Sequence, residues 1–173
     1  RDLDSSLVGS EMCIRDRPGG AAGAGMSLAL ACDLRVATEE TALVPAFGAI
    51  AASGDFGGSW HLSRLIGSGR AKEIYMTGRR MMSDEALRLG VFNKVVAADD
   101  FSRTVAKLAD HLAAQAPIAM RYMKQNHNLA QVSDLRALLA QEADRMMRTL
   151  HTEDHKQAVE AFFAKRPPVF NGR

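Results

Sequence analysis

Cysteine is scarce in this chain: Cys13 and Cys32 are the two in 173 residues. Their spacing matches no metal-ligand pattern, and Cys32 stands in an apolar run where it reads as a small core residue. So little cysteine fits a reducing, cytoplasmic setting. No apolar run approaches the roughly 20 residues of a membrane-spanning helix. Residues 1–17 lack the continuous apolar stretch of a signal peptide. Charge of one sign is missing too: 22 Lys and Arg against 20 Asp and Glu leave a net charge of +2. That balance gives no case for nucleic acid, which wants a concentrated basic face. There is no Gly-Lys-Ser/Thr phosphate loop and no internal repeat. With 47% hydrophobic and 24% charged residues, the composition is that of a globular domain with a real core.

What is present is a small-residue stretch, PGGAAGAGMSLALACDLRVA, at residues 18–37. Gly19, Gly20, Gly23 and Gly25 form a turn, Met26 to Cys32 are good helix formers, and residues 33–37 read as a buried strand. A Gly-rich turn ahead of a helix leaves N–H groups pointing outward with the positive end of the helix dipole behind them. Such a place holds an anion, or an oxygen that becomes one during reaction. A dinucleotide fingerprint would need a third glycine where Leu28 stands, and a strand where Arg15, Asp16, Arg17 and Pro18 do not suggest one. The plain structural alternative is a helix packed so closely that only Gly and Ala fit.

Further on, residues 34–37 and 42–45 read as short strands around a polar turn at 38–41. Residues 46–58 suit a loop lining an apolar pocket, with Phe47, Ile50 and Phe56 as its larger members and Asp55 as its one carboxylate. Helices are expected at 59–66 and 71–76, the second capped by Ser68. Ser83 would cap the next, with Asp84 and Glu85 favourable in its first turn. From Asp99 onward the pattern is helical, with apolar residues at i, i+3, i+4 and i+7. Pro117, Ser133 and Thr152 mark three further helix starts. Leu135, Leu138, Leu139, Ala143, Met146, Met147 and Leu150 form one apolar stripe suited to a core or a subunit contact. His151 and His155 have the spacing of a zinc helix, but a capping Thr152 between them argues against a shared face, and no metal is expected.

The blocks GGAAGAGMSLALACDLRVA, SGDFGGSWHLSRLIG, AKEIYMTGRRMMSDEALRLGVFNKVV and AFFAKRPPVFNGR together resemble the crotonase family, the enoyl-CoA hydratases and isomerases, over about residues 18–173. The resemblance implies an α/β fold: a spiral of ββα units, here at 18–98 and lacking its N-terminal part, followed by a helical trimerisation region at 99–173. It implies an acyl-CoA thioester substrate, no separate cofactor because coenzyme A is part of that substrate, and a homo-trimer or dimer of trimers. Residues 1–17 do not match, and are expected to be an extraneous, poorly ordered leader.

The resemblance also carries a site. One of the family's two oxyanion N–H donors matches Ala24, between Gly23 and Gly25. The two glutamates with which hydratases activate water match Ser27 and either Phe47 or Gly48, so neither is acidic. Asp55 lies where some family isomerases carry a catalytic acid. Phe47, Phe56 and Trp60 would raise its pKa by desolvation, and a helix start near Ser59 would lower it; alternatively Asp55 only stabilises the turn before that helix. Phe162 and Lys165 match positions that contact the adenine and phosphates of coenzyme A, with a solvated helix end as the plain alternative. The expected reaction is a double-bond shift in an enoyl-CoA. Hydration on the same scaffold, or a non-catalytic acyl-CoA-binding subunit, are the alternatives. With the family's second oxyanion donor outside the chain, the 173-residue chain alone is expected to be inactive, since one lost donor costs about 2.7–4 kcal/mol of transition-state stabilisation. Turnover of an enoyl-CoA by the purified chain would refute this.

Overall fold

The computed structural model describes residues 14–17, as backbone, and 20–173. Cys13, Pro18, Gly19 and most of the expected leader lie outside the described residues. The described residues cluster into two compact units that divide between Ala109 and Asp110.

The first unit alternates short strands and helices. In chain order it contains β1 (Ile14–Arg17), β2 (Ala21–Ala22), α1 (Ala24–Ala31), β3 (Leu34–Thr38), β4 (Ala42–Val44), a 3-10 turn at Gly48–Ile50, α2 (Gly58–Ile66), α3 (Ser68–Thr77), β5 (Met81–Met82), α4 (Ser83–Arg88) and β6 (Lys94–Val96). The strands form two small sheets. In one, β3 lies between β1 and β6, all parallel; in the other, β4 lies between β2, parallel, and β5, antiparallel. The chain passes from one sheet to the other through a helix or a tight turn, as the ββα expectation requires. Met26, Leu30, Ala37, Leu43, Leu62, Ile74, Met81 and Val91 are the buried heart of this unit. α1 contributes apolar residues on nearly every side because Met26, Ser27, Ala29 and Leu30 are all buried, which explains its lack of a polar face.

β1 corrects the expected boundary of the leader. Ile14–Arg17 pair in register with residues 34–37 of β3, so the sheet begins before residue 18. The sequence Ile-Arg-Asp-Arg has no apolar alternation to announce a strand, but parallel pairing is made by the backbone alone.

Two polar devices fix the turns of this unit. Thr38 and Thr41 hold the β3–β4 turn, with Oγ1 to Oγ1 at 3.1 Å and Thr38 N–H donating to Thr41 Oγ1 at 3.2 Å. Arg35 is 5% exposed and turns inward. Its Nε–H donates to Val91 O at 2.5 Å, and Nη1 donates to Cys32 O and, at 3.4 Å, to Leu30 O. A buried cation is thereby spread over three carbonyls, two of them, Leu30 and Cys32, at the C-terminal end of α1, where the helix dipole favours positive charge. Cys32, expected in the core, is half-buried and ends α1.

Three expected caps move by one residue. Gly67, not Ser68, precedes α3. Met82 precedes α4, while the Ser83 hydroxyl donates to Glu39 O. In the second unit Asp134 caps the helix Leu135–Leu150 by accepting from Ala137 N–H at 2.9 Å, and Ser133 turns back to Leu129 O. A carboxylate is the stronger acceptor for a helix N-terminus.

α5 (Ala98–Ala113) contains the division between the units, and the second continues with α6 (Pro117–Ala130), α7 (Leu135–Leu150) and α8 (Glu153–Phe163). Thr152 caps α8 as expected, accepting from His155 N–H at 3.1 Å. Asp154, expected only as a first-turn acid, is buried and clasps the chain end: it accepts from Asn171 and Gly172 N–H at 2.7 and 2.9 Å. On α7, Leu135, Leu139, Met146 and Met147 are each more than half exposed, so the apolar stripe is not a core within this chain.

Replacing Arg35 strands its carbonyl acceptors in an apolar setting. Arg35→Leu is expected to lower unfolding free energy by about 2–4 kcal/mol, read as an earlier urea midpoint in circular dichroism. An unchanged midpoint would show that the guanidinium is dispensable.

Candidate active site

The site is built at the junction of β2, α1 and the 45–58 loop. Gly23 sits at φ 52, ψ −124, outside the regions open to residues with a side chain, and precedes α1. Its N–H donates to Val44 O at 2.9 Å, which ties the turn to β4, and its carbonyl accepts Ser27 N–H at 3.1 Å. Ala24 is therefore the first residue of the helix, with an N–H that no backbone carbonyl of the described residues accepts. It is half-buried, neither sealed in the core nor on open surface. Gly25 is half-buried beside it.

Phe47 is the pivot of the loop. It is buried, and its ring lies parallel to Tyr75 of α3 with centroids 6.4 Å apart. A Cβ built on Gly23 would lie 3.8 Å from this ring, and one built on Gly54 would lie 3.5 Å from it. The residues preceding Ala24 and Asp55 thus share one aromatic surface. The loop is conformationally strained: among the described residues, Ala46, Ala51, Phe56 and Lys165 are the non-glycine residues at positive φ, and three of them fall in 46–56. Strain of this kind persists only where the surroundings hold it, and it gathers at functional sites.

Asp55 is exposed, and no side chain of the described residues caps α2; Asp55 instead offers its backbone carbonyl to Gly58 N–H at 3.2 Å. The turn-stabilising role considered for its carboxylate is not formed. The apolar enclosure expected around it is not formed either. Phe56 is 59% and Trp60 44% exposed, and the Trp60 ring packs with the Arg64 guanidinium at 3.6 Å and with His61 edge-on. Burial, helped by Arg35 and Arg64, holds the His61 pKa below its ordinary value.

Ser27 is completely buried, with Oγ 3.5 Å from Gly23 O. At Phe47 and Gly48, the other positions compared with a hydratase glutamate, the structure has a ring and an exposed glycine. The sequence reading missed Tyr75. Its hydroxyl is buried and makes no hydrogen bond of ordinary geometry among the described residues; burial pushes its pKa up, opposed by the neighbouring Ser27 hydroxyl and reinforced by the Asp55 charge. Only a lone phenol on an otherwise apolar helix face could have signalled it. Phe162 and Lys165 belong to the other unit, where Phe162 is 79% exposed on α8 and Lys165 follows it in a left-handed conformation, φ 51.

A family model described as enoyl-CoA hydratase/isomerase matches residues 13–173. The chain belongs to the enoyl-CoA hydratase/isomerase family. The match takes in β1 and so agrees with the earlier start of the fold. A short-chain-enoyl-CoA hydratase of Clostridium acetobutylicum is 35% identical over 148 residues, 86% of this chain and 57% of that protein. A 1,2-epoxyphenylacetyl-CoA isomerase of Escherichia coli is 34% identical over 155 residues, 90% of this chain and 59% of that one. The crystal structure of an enoyl-CoA hydratase from Polaromonas sp. JS666 superposes with a TM-score of 0.92 at 36% identity, covering 97% of this chain and 65% of that chain. The chain thus spans under two thirds of the length of these relatives, and has their crotonase fold.

Gly23→Ala forces a side chain into a backbone region that costs about 1–3 kcal/mol. Thermal unfolding is expected to begin earlier in that variant. An unmoved transition would mean that the turn relaxes freely.

Proposed function

We propose that this chain carries the acid/base half of an acyl-CoA isomerase, one that moves a double bond within an enoyl-CoA thioester. The Asp55 carboxylate takes a proton from the α or γ carbon. The electron pair released flows through the conjugated system onto the thioester oxygen, where the Ala24 N–H donates to the developing charge. Asp55 then returns the proton two carbons away, and the electron pair leaves the oxygen to re-form the carbonyl. No atom is gained or lost, and one carboxylate suffices. Gly23, Gly25 and Ser27 shape the donor turn. Phe47, Phe56 and Trp60 offer apolar surface to the acyl chain.

The observation that carries this reading is the convergence of Gly23 and Gly54 on the Phe47 ring, each next in the chain to a residue the reaction needs. Hydration by two glutamates is disfavoured by Ser27 and Phe47, which supply no carboxylate. Assembly as a trimer is supported by the exposed apolar side chains of α7, including Leu135 and Leu139, together with Met123 of α6.

In the protein to which this chain belongs, Asp55→Asn is expected to lower isomerase turnover about 10²–10⁴-fold, the usual worth of a positioned acid/base group. Solvent deuterium should enter the product of the parent enzyme without net addition of water. Retained turnover in Asp55→Asn would remove Asp55 from the mechanism, and water addition by the parent would replace isomerisation with hydration.

A further inference from the structure

Tyr75 has a polar group that the reaction above does not use. Its hydroxyl is shut away from water and makes no hydrogen bond of ordinary geometry among the described residues, and the side chain that stands beside it is the Ser27 hydroxyl. The position is tightly enforced. On one side the ring stacks on Phe47. On the other, a Cβ built on Gly58 would collide with both Tyr75 Oη and Ser27 Oγ. The two hydroxyl oxygens therefore flank one point at the start of α2, and the absent side chain of Gly58 is what lets them approach.

Ser27 leads from there to the donor turn. Its Oγ reaches Gly23 O at 3.5 Å, and its own N–H donates to the same carbonyl at 3.1 Å. Gly23 C=O and Ala24 N–H belong to a single peptide group. Hydrogen bonds accepted by the carbonyl polarise that group and make its N–H a better donor.

We infer that Tyr75 is a positioning residue for the Ala24 amide, acting through Ser27: its phenol orients the Ser27 hydroxyl toward Gly23 O, and so fixes and polarises the peptide that faces the thioester oxygen. The inference rests on the proposed function for the identity of that oxygen. It also accounts for a serine, Ser27, where the first glutamate of a hydratase would place charge. Two neutral hydroxyls in this enclosed corner can serve the donor peptide, whereas a carboxylate there would face a desolvation cost.

The test uses the protein to which this chain belongs, with butyryl-CoA, a saturated thioester, as spectroscopic probe, and with an enoyl-CoA for turnover. Binding is expected to move the thioester carbonyl stretch to lower frequency in the parent protein. Tyr75→Phe keeps the ring and its stacking on Phe47. It should reverse part of that shift and lower kcat about 5- to 30-fold, less than the loss of a whole oxyanion donor, with KM changed less than twofold. Ser27→Ala should do the same, and the double variant should lose little more than either single one. A parent shift that Tyr75→Phe leaves intact would overturn the role of Tyr75 while leaving the thioester site standing. Additive losses in the double variant would overturn the route through Ser27. No carbonyl shift in the parent would overturn the proposed function itself, and this inference with it.

Discussion

The peptide between Gly23 and Ala24 is the constraint around which the first unit is arranged. Its geometry is set from both ends: Gly23 N–H is tied to Val44 O of β4, and Gly23 O accepts Ser27 N–H from the first turn of α1. With those groups committed, the Ala24 N–H is left over at the positive end of a helix. The backbone there passes through a conformation that penalises any side chain, so the turn cannot slide along the sequence by a residue. β2, α1 and β4 are held in their mutual order by the same few bonds. Buried Met26 and Leu30 then anchor the helix in the core.

Members of one family can run different reactions on such a turn because the acids that accompany it are separable from it. Ser27 and Phe47 here fill positions without charge, and they do so with opposite chemistry. Ser27 stays polar and serves the backbone. Phe47 becomes a ring against which glycines and Tyr75 pack. The remaining acid, Asp55, rides on a strained loop rather than on a helix or strand.

Much of this was legible from residues. The Gly-Ala turn, the helix starting at Pro117 and the Thr152 cap were visible because each depends on a local preference of one or two side chains. β1 was not visible, since Arg15, Asp16 and Arg17 give no alternation and the strand is defined by backbone pairing with β3. The caps assigned to Ser68, Ser83 and Ser133 each fell one residue from the true one, because serine competes at a helix start with glycine backbone, a carboxylate or a distant carbonyl. The enclosure of Asp55 was overestimated: aromatic residues near an acid in sequence, such as Phe56 and Trp60, need not turn toward it. Tyr75 and the clasp made by Asp154 were hidden for the opposite reason, since each finds its neighbours through tertiary folding.

One further feature ties the site to its support. Gly67 both closes α2 as its C-terminal cap and precedes α3, at φ 82, ψ 151. No linker separates the helix that begins at Gly58 from the helix that carries Tyr75, so the pair behaves as a bracket with a single welded corner. There is open room around a side chain at that corner, yet the backbone torsions exclude one. Evolutionary or engineered change at this distant glycine would therefore be felt as a small rotation of the bracket's arms, and the Ser27 hydroxyl stands where the arms meet the donor turn.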